Sequence, residues 1–374
     1  MNAFARTDTS LVARWWWTVD LWSLAAIAAL IVFGLLLVFA ASPPVAERIG
    51  FDSFHFVRRQ ILFLAPSVLI LIAVSMLSPR NVRRLATILF LGTVALMAAT
   101  LLVGVEIKGA RRWISLGGLS LQASEFVKPT FAVVAAWMFA EARKEDGFPG
   151  NAIAAGLLAV VLALLIAQPD MGMTLVVAAV WCAQLFLAGL PMLWAGGLVA
   201  LGIVGSVAAY FLFPHVQSRV DRFLDPASGD SYQIDKALQA FANGGLFGRG
   251  PGEGRVKEVL PDAHADFVFA VAGEELGLIA CLIVVALFAF VTLRGFGRLM
   301  RSRNLFVLLA AGGILVQFAL QAIVNLGSTL HLIPTKGMTL PFISYGGSSL
   351  MALALGMGMV LALTRYRPPL EDEL

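Results

Sequence analysis

The chain predicts an all-α polytopic membrane protein of about ten transmembrane helices, with one long extracytoplasmic loop between helices 7 and 8. Three observations lead there. Of its 374 residues, 59% are hydrophobic and 13% charged, whereas soluble domains carry about 25% charged residues. The mean hydropathy is +0.87. Apolar runs of bilayer-crossing length recur along the whole sequence, broken by a single long polar insert.

The first run, 21–41, follows Arg14 and the cluster Trp15, Trp16 and Trp17, which reads as an interfacial anchor and not as a cleavable leader. Further runs fall at 60–77, 85–105, 125–140, 150–167, 171–189 and 192–213, and after the insert at 266–293, 305–326 and 347–364. The chain is thus expected to be one membrane domain, 1–374, with tails 1–20 and 365–374 and a large loop 214–265. With a cytoplasmic N-terminus, the loops holding Arg80, Arg83 and Arg84 and holding Arg294, Arg298, Arg301 and Arg303 face the cytoplasm. The C-terminus returns there too. This arrangement puts 13 of the 27 Lys and Arg inside and 14 outside, or 13 against 8 once the long loop is set aside.

Cys182 and Cys281 lie in apolar runs, where a thiol packs as a small hydrophobe and no disulfide framework is implied. The net charge of +4 includes no lysine or arginine block, so no nucleic-acid partner is expected; membrane lipid is. His55, His215, His264 and His331 match no metal-binding spacing.

Outside the long loop, Lys108, Arg111, Arg112 and Lys128 run against the positive-inside bias, as an anionic headgroup at the outer face would require, although snorkelling lysines also fit. The stretch 112–122 reads as a tight hairpin turning at Gly117 and Gly118. Ser124 suits a helix N-cap, with Glu125 in the first turn pairing with Lys128. Asp170 suits the N-cap of the sixth span, or a functional carboxylate. In the insert, Asp230 and Gln233 start a short amphipathic helix with Ile234, Leu238 and Phe241 on a face resting on the bilayer. Gly248, Gly250, Gly252 and Gly254 follow no nucleotide-binding pattern and read as a flexible approach loop.

The insert ends in KEVLPDAHADF, which gathers Glu258, Asp262, His264 and Asp266 at the mouth of the eighth span. Asp266 is expected at that helix's N-terminus. Helical geometry puts Glu274 roughly 12 Å below it and facing the same cavity, with Glu275 turned away. The stretch 332–349 breaks the backbone at membrane depth with two prolines and three glycines, which is tolerated where it lines a cavity, and there Lys336 offers a point charge.

GARRWI at 109–114, QASEFVK at 122–128, QPDMG at 168–172, LPDAHADFVFAVAGEELG at 260–277 and PTKGMTLPFISYGGSS at 334–349 together resemble the SEDS family of shape, elongation, division and sporulation proteins. PTKG and GEELG look like its division branch. Ala123, Asp262 and Ala265 depart from the family pattern. The resemblance implies a ten-helix peptidoglycan glycosyltransferase that polymerises lipid II, a polyprenyl diphosphate-linked disaccharide peptide, at the division septum of the cytoplasmic (inner) membrane. It implies a class B penicillin-binding transpeptidase and other divisome proteins as partners. It also implies Asp266 as the catalytic residue, with Glu258 and Lys336 functional.

The expected chemistry is an inverting transfer with Asp266 as base, and with Lys336, Arg111 and Arg112 on the diphosphate. No cofactor is required by the sequence. A divalent cation, magnesium or manganese, bridging the diphosphate to Asp266 fits that chemistry without a ligand cluster to demand it. Ten spans and an intramembrane Glu274 would suit a lipid II flippase equally, but no internal repeat of transporter type is visible. An elongation-type polymerase and a noncatalytic scaffold are also compatible with these residues.

Overall fold

The structure is a computed structural model and describes residues 10–107, 110–116, 119–224, 232–334 and 337–366. A short helix α1 (Leu11–Thr18) leads into α2 (Leu21–Arg48), α3 (His55–Ser75) and α4 (Pro79–Val103). Three strands follow, β1 (Val105–Ile107), β2 (Ala110–Leu116) and β3 (Leu119–Leu121). Then come α5 (Ala123–Glu141), α6 (Gly150–Ala167), α7 (Met171–Leu187) and α8 (Met192–Leu212). The insert contains α9 (Pro214–Leu224), α10 (Tyr232–Gly244) and α11 (Val256–Val259), and the chain closes with α12 (Val268–Leu299), α13 (Leu305–Thr329) and α14 (Gly347–Leu363).

Each of the ten apolar runs is occupied by one helix. Seven of these, α2, α3, α4, α6, α8, α12 and α13, are long and apolar enough to cross a membrane among the described residues. Helices α7 and α14 are apolar but shorter. Helix α5 carries Glu125, Lys128 and Glu141 in its 19 residues. Local chemistry sets several ends: Ser78 Oγ accepts from Asn81 N at 3.2 Å ahead of Pro79, so α4 starts six residues before its apolar run.

Helices α5, α13 and α14 form the centre, and α14 is buried almost all round, as an all-apolar helix must be. Helix α8 lies at the other extreme, with no buried residue. The expected hairpin is present as β2 paired antiparallel to β3, and β1 extends it to a three-stranded sheet. The fold is otherwise helical throughout the described residues, as expected. Gly117, Gly118 and Lys108 lie outside the described residues.

One end of the bundle gathers both ends of the described chain. Asp20 accepts a bidentate contact from Arg294 Nε and Nη2 (2.8–3.0 Å), and Arg298 donates to Thr364 O. Tyr366 N donates to Thr18 O. Trp15 is buried, with Nε1 on Ser75 Oγ at 2.8 Å, so only part of the tryptophan cluster can act as an interfacial anchor. The hairpin, the ends of α2 and α6, and the close of the insert collect at the opposite end.

The insert departs most from expectation. Helix α10 packs Ala237, Ala240 and Gly244 on α12 and leaves Leu238 outside. Phe241 also turns to α12, 5.6 Å from Phe269 and over Gly273, so of the expected Ile234, Leu238 and Phe241 face only Leu238 is left exposed. Asp230 lies outside the described residues. The glycine-rich stretch is a clamp and not a loose loop, because α12 breaks at Gly277 (φ 79°), and the backbone there is taken up by Arg249 N on Glu274 O (2.9 Å), Gly250 N on Glu275 O (3.0 Å) and Leu278 N on Gly245 O (2.9 Å). A side chain at Gly277 would sit 2.3 Å from Gly248 N.

Candidate functional site

A cavity of about 490 Å³ opens at the end that carries the hairpin. Its walls come from segments far apart in sequence. Asp262, His264 and Asp266 close the insert, and Arg112 comes from β2. Glu125 is contributed by α5, Asp170 by the cap of α7, and Met338 and Tyr345 by the loop before α14.

The wall bearing Asp266 is a turn made by Asp262, whose φ of 52° lies in the left-handed region that aspartate tolerates. Its carbonyl then accepts from Ala265 N (3.0 Å) and Asp266 N (3.1 Å). The turn is bolted down from two sides. Asn325 of α13 donates Nδ2 to Asp266 O (3.1 Å) and Met338 O (2.6 Å), and Ser344 Oγ donates to Ala265 O (2.6 Å). Tyr345 N donates to His264 O at 3.0 Å. Arg48, at the end of α2, donates to the carbonyls of Glu258 and Leu260. A Cβ at Gly337 would lie 3.3 Å from Asp266 Oδ2, so the glycine lets the loop pass against the carboxylate. Lys336 precedes it and lies outside the described residues.

The position of Asp266 corrects one expectation. Helix α12 begins at Val268 with Phe267 as its cap, leaving Asp266 in the turn ahead of it. Glu274 is therefore not its neighbour. It is fully buried against the glycine clamp, accepting from Val256 N (2.9 Å) and Asn243 Nδ2 (3.2 Å) and pairing with Arg249 at 3.7 Å. Glu275 joins it there, 2.6 Å from Lys257 Nζ. Both carboxylates turn to the insert because its loop supplies the N–H groups they need. Glu258 is also corrected: it is exposed and does not line the cavity.

On the opposite wall the strand's alternation separates the two arginines. Arg112 lines the cavity, with Nε on Gln168 O at 2.9 Å, Nη2 on Pro169 O, and Asp170 at 3.9 Å. Arg111 points away and pairs with exposed Glu106 at 3.4 Å, so it does not line the cavity. Asp170 caps α7, accepting from Met173 N at 3.2 Å. Burial pushes its carboxyl above the usual range, with Arg112 opposing. Glu125 lines the cavity and meets buried Lys128 at 2.8 Å as expected; Lys128 also donates to Gln321 Oε1 at 3.0 Å. Ser124 is not the cap of α5: Gln122 is, with its Nε2 on Ser124 Oγ.

Sequence reasoning missed Arg59, Arg219, Tyr345, Gln321 and Asn325. Gln321 and Asn325 were detectable, since two amides four apart in an apolar run share one face of a helix. His264 is 6% exposed and pushed down to about 4, chiefly by burial, which makes it a neutral ring. Among the described residues no group of three His, Cys, Asp or Glu could hold a metal.

An apolar helical bundle whose polar cavity joins a turn-mounted aspartate, further carboxylates and arginines defines a multi-pass membrane protein with a charged cavity at one end. Residues 21–368 match the FtsW/RodA/SpoVE family, described as cell cycle proteins, and the chain belongs to it. A relative from Caulobacter vibrioides, named probable peptidoglycan glycosyltransferase FtsW, is 48% identical over 98% of this chain and 94% of its own. The protein of the same name from Escherichia coli O6:H1 is 34% identical over 94% of this chain and 86% of its own. Among solved structures, one reported under "Structural coordination of polymerization and crosslinking by a peptidoglycan synthase complex" aligns with a TM-score of 0.74 at 29% identity, covering 92% of this chain and 97% of that one. The Thermus thermophilus rod shape determining protein RodA aligns at 0.68 and 29% identity, over 94% and 99% of the two chains.

Proposed function

We propose that the chain is a peptidoglycan glycosyltransferase of the division type, polymerising lipid II at the cavity that holds Asp266. The observation that carries this reading is Asp266 itself, on a turn fixed through its backbone and set in the wall of a cavity that also holds Arg59, Arg112 and Arg219. The names of the relatives and the likeness to a chain of the peptidoglycan synthase complex support it. The cavity end is then the outer face. Arg80, Arg83 and Arg84, at the start of α4, and the arginines after α12 lie at the other end, in keeping with the positive-inside rule. Both termini are cytoplasmic, and α5, α7 and α14 complete ten crossings.

The acceptor sugar's 4-hydroxyl attacks the anomeric carbon of the donor as Asp266 takes the hydroxyl proton. The O4–C1 bond forms while the bond from C1 to the diphosphate oxygen breaks, inverting the centre, and the polyprenyl diphosphate leaves as an anion. That leaving group needs charge stabilisation more than protonation, which Arg112, Arg59, Arg219 and Lys336 supply. Asp170 and Glu125 hold Arg112 and Lys128 in place. Asp266 is the residue that would hold a divalent cation, which would supply further positive charge for the leaving group. The transpeptidase partner is of class B, and the setting is the septal inner membrane with other divisome proteins.

The test is glycan synthesis from purified lipid II with the class B partner present: the wild type makes polymer and Asp266→Asn, still folded and inserted, makes none. Polymer from that variant overturns the reading.

A further inference from the structure

Between α2 and α3 a turn carries two exposed phenylalanines that differ in what they touch. Phe54 is 42% exposed and packs on Phe39 of α2, 5.5 Å between centroids, on the lateral face of a membrane-crossing helix. Phe51 is 51% exposed and stacks on His55 at 4.4 Å with the rings 13° apart. From there the aromatic row continues inward: His55 meets Phe56 edge-on at 5.3 Å, and Phe56 stacks on His264 at 4.2 Å. His264 and Tyr345, 5.2 Å apart, line the cavity beside Asp266. The row therefore runs unbroken from the outer surface to the reaction turn.

Packing alone does not account for its inner end. The His264 side chain is buried, yet its Nδ1 has no hydrogen-bond partner among the described residues, in a ring that lines the cavity. A buried polar atom without a partner asks for one from a ligand. At the outer end a flat aromatic pair faces solvent at a polar surface. A β-linked pyranose fits both: its hydroxyls lie at the rim, where one can donate to Nδ1, and its faces present C–H bonds to the electron-rich faces of rings.

We propose that this row is a saccharide subsite, on which sugar rings of a β-1,4-linked N-acetylhexosamine chain stack as it extends between the cavity and the surface. The proposal rests on the glycosyltransferase reading and deepens it, assigning the α2–α3 turn to the glycan and not to the bilayer. Phe54, paired with the lateral helix face, stays outside the row.

Two measurements test it, on the full chain in nanodiscs. First, glycan strand length is compared at equal lipid II consumption. Phe51→Leu and His55→Leu keep an apolar side chain and lose the stacking ring, and strands shorten about fivefold, the loss expected for one aromatic contact. Phe54→Leu leaves the length unchanged. Equal lengths in wild type and Phe51→Leu, or equal shortening in Phe51→Leu and Phe54→Leu, overturn the proposal. Second, saturation-transfer NMR with a soluble β-1,4-linked N-acetylglucosamine hexamer needs no turnover. Transfer to the sugar C–H protons that disappears in Phe51→Leu supports the subsite even if the chain fails to polymerise lipid II, and absence of transfer in the wild type overturns it.

Discussion

Replacing Glu275 by glutamine should loosen the glycine clamp that braces the reaction turn. Lys257 Nζ lies 2.6 Å from Glu275 Oε1 and also donates to Gly252 O at 2.8 Å, with only 8% and 1% of the two side chains exposed. Glutamine keeps one acceptor where the carboxylate offers two, so with its oxygen on Gly252 N it removes the charge and turns an amide NH2 toward Lys257 Nζ. Breaking a buried pair on one side costs roughly 3–5 kcal/mol, because the remaining ion is left uncompensated. Opening of the clamp then becomes roughly 100- to 4,000-fold more frequent, at 1.4 kcal/mol per tenfold. Hydrogen–deuterium exchange of the 244–260 segment measures it directly, with α14 as the internal reference. The double variant Lys257→Met with Glu275→Gln removes both charges and should restore most of the protection. Protection in Glu275→Gln within about twofold of wild type, the scatter of an ordinary surface change, would refute the reasoning. So would a double variant as loose as the single one.

Further outcomes follow from the same structure. Asn325→Ala strips Asp266 O and Met338 O of their shared buried donor, each worth about 1–3 kcal/mol, and polymerisation should fall by tenfold or more in a protein that still folds, read by turnover beside a melting curve. Gly277→Ala puts a Cβ 2.3 Å from Gly248 N at a φ of 79°, and should lower the thermal midpoint by several degrees, whereas Gly297→Ala, with open space around it, should not. Burial pushes His264 down to about 4, below its ordinary 6.5, so the unfolded chain takes up this proton first. Stability is then complete above pH 6.5, is lost as pH falls from 6.5 to about 4, and in His264→Gln loses this part of its pH dependence, as melting curves across that range will show.

What the sequence revealed is what local chemistry decides. Apolar runs placed ten helices, paired glycines placed a hairpin, and spacing placed the Glu125–Lys128 pair and the Asp170 cap, because each depends on neighbours a few residues away. What stayed hidden depends on where the chain breaks. Helical geometry carried through from Asp266 sent Glu274 to the wrong cavity, since the helix starts two residues later and Glu274 meets N–H groups from a loop some 18 residues away in sequence. The paired arginines looked equivalent until strand alternation sent Arg111 to Glu106 and Arg112 to the cavity. Arg59 and Arg219 lie far from Asp266 in sequence, and only packing brings them to the same cavity.

The role of Asp266 is settled most directly in proteoliposomes, where lipid II polymerisation and lipid II translocation are followed side by side for the wild type and Asp266→Asn, each with the class B partner. Polymer from the wild type and none from the variant is the expected result, whatever the translocation signal. Undiminished polymer from Asp266→Asn, or translocation without any polymer from the wild type, would contradict it.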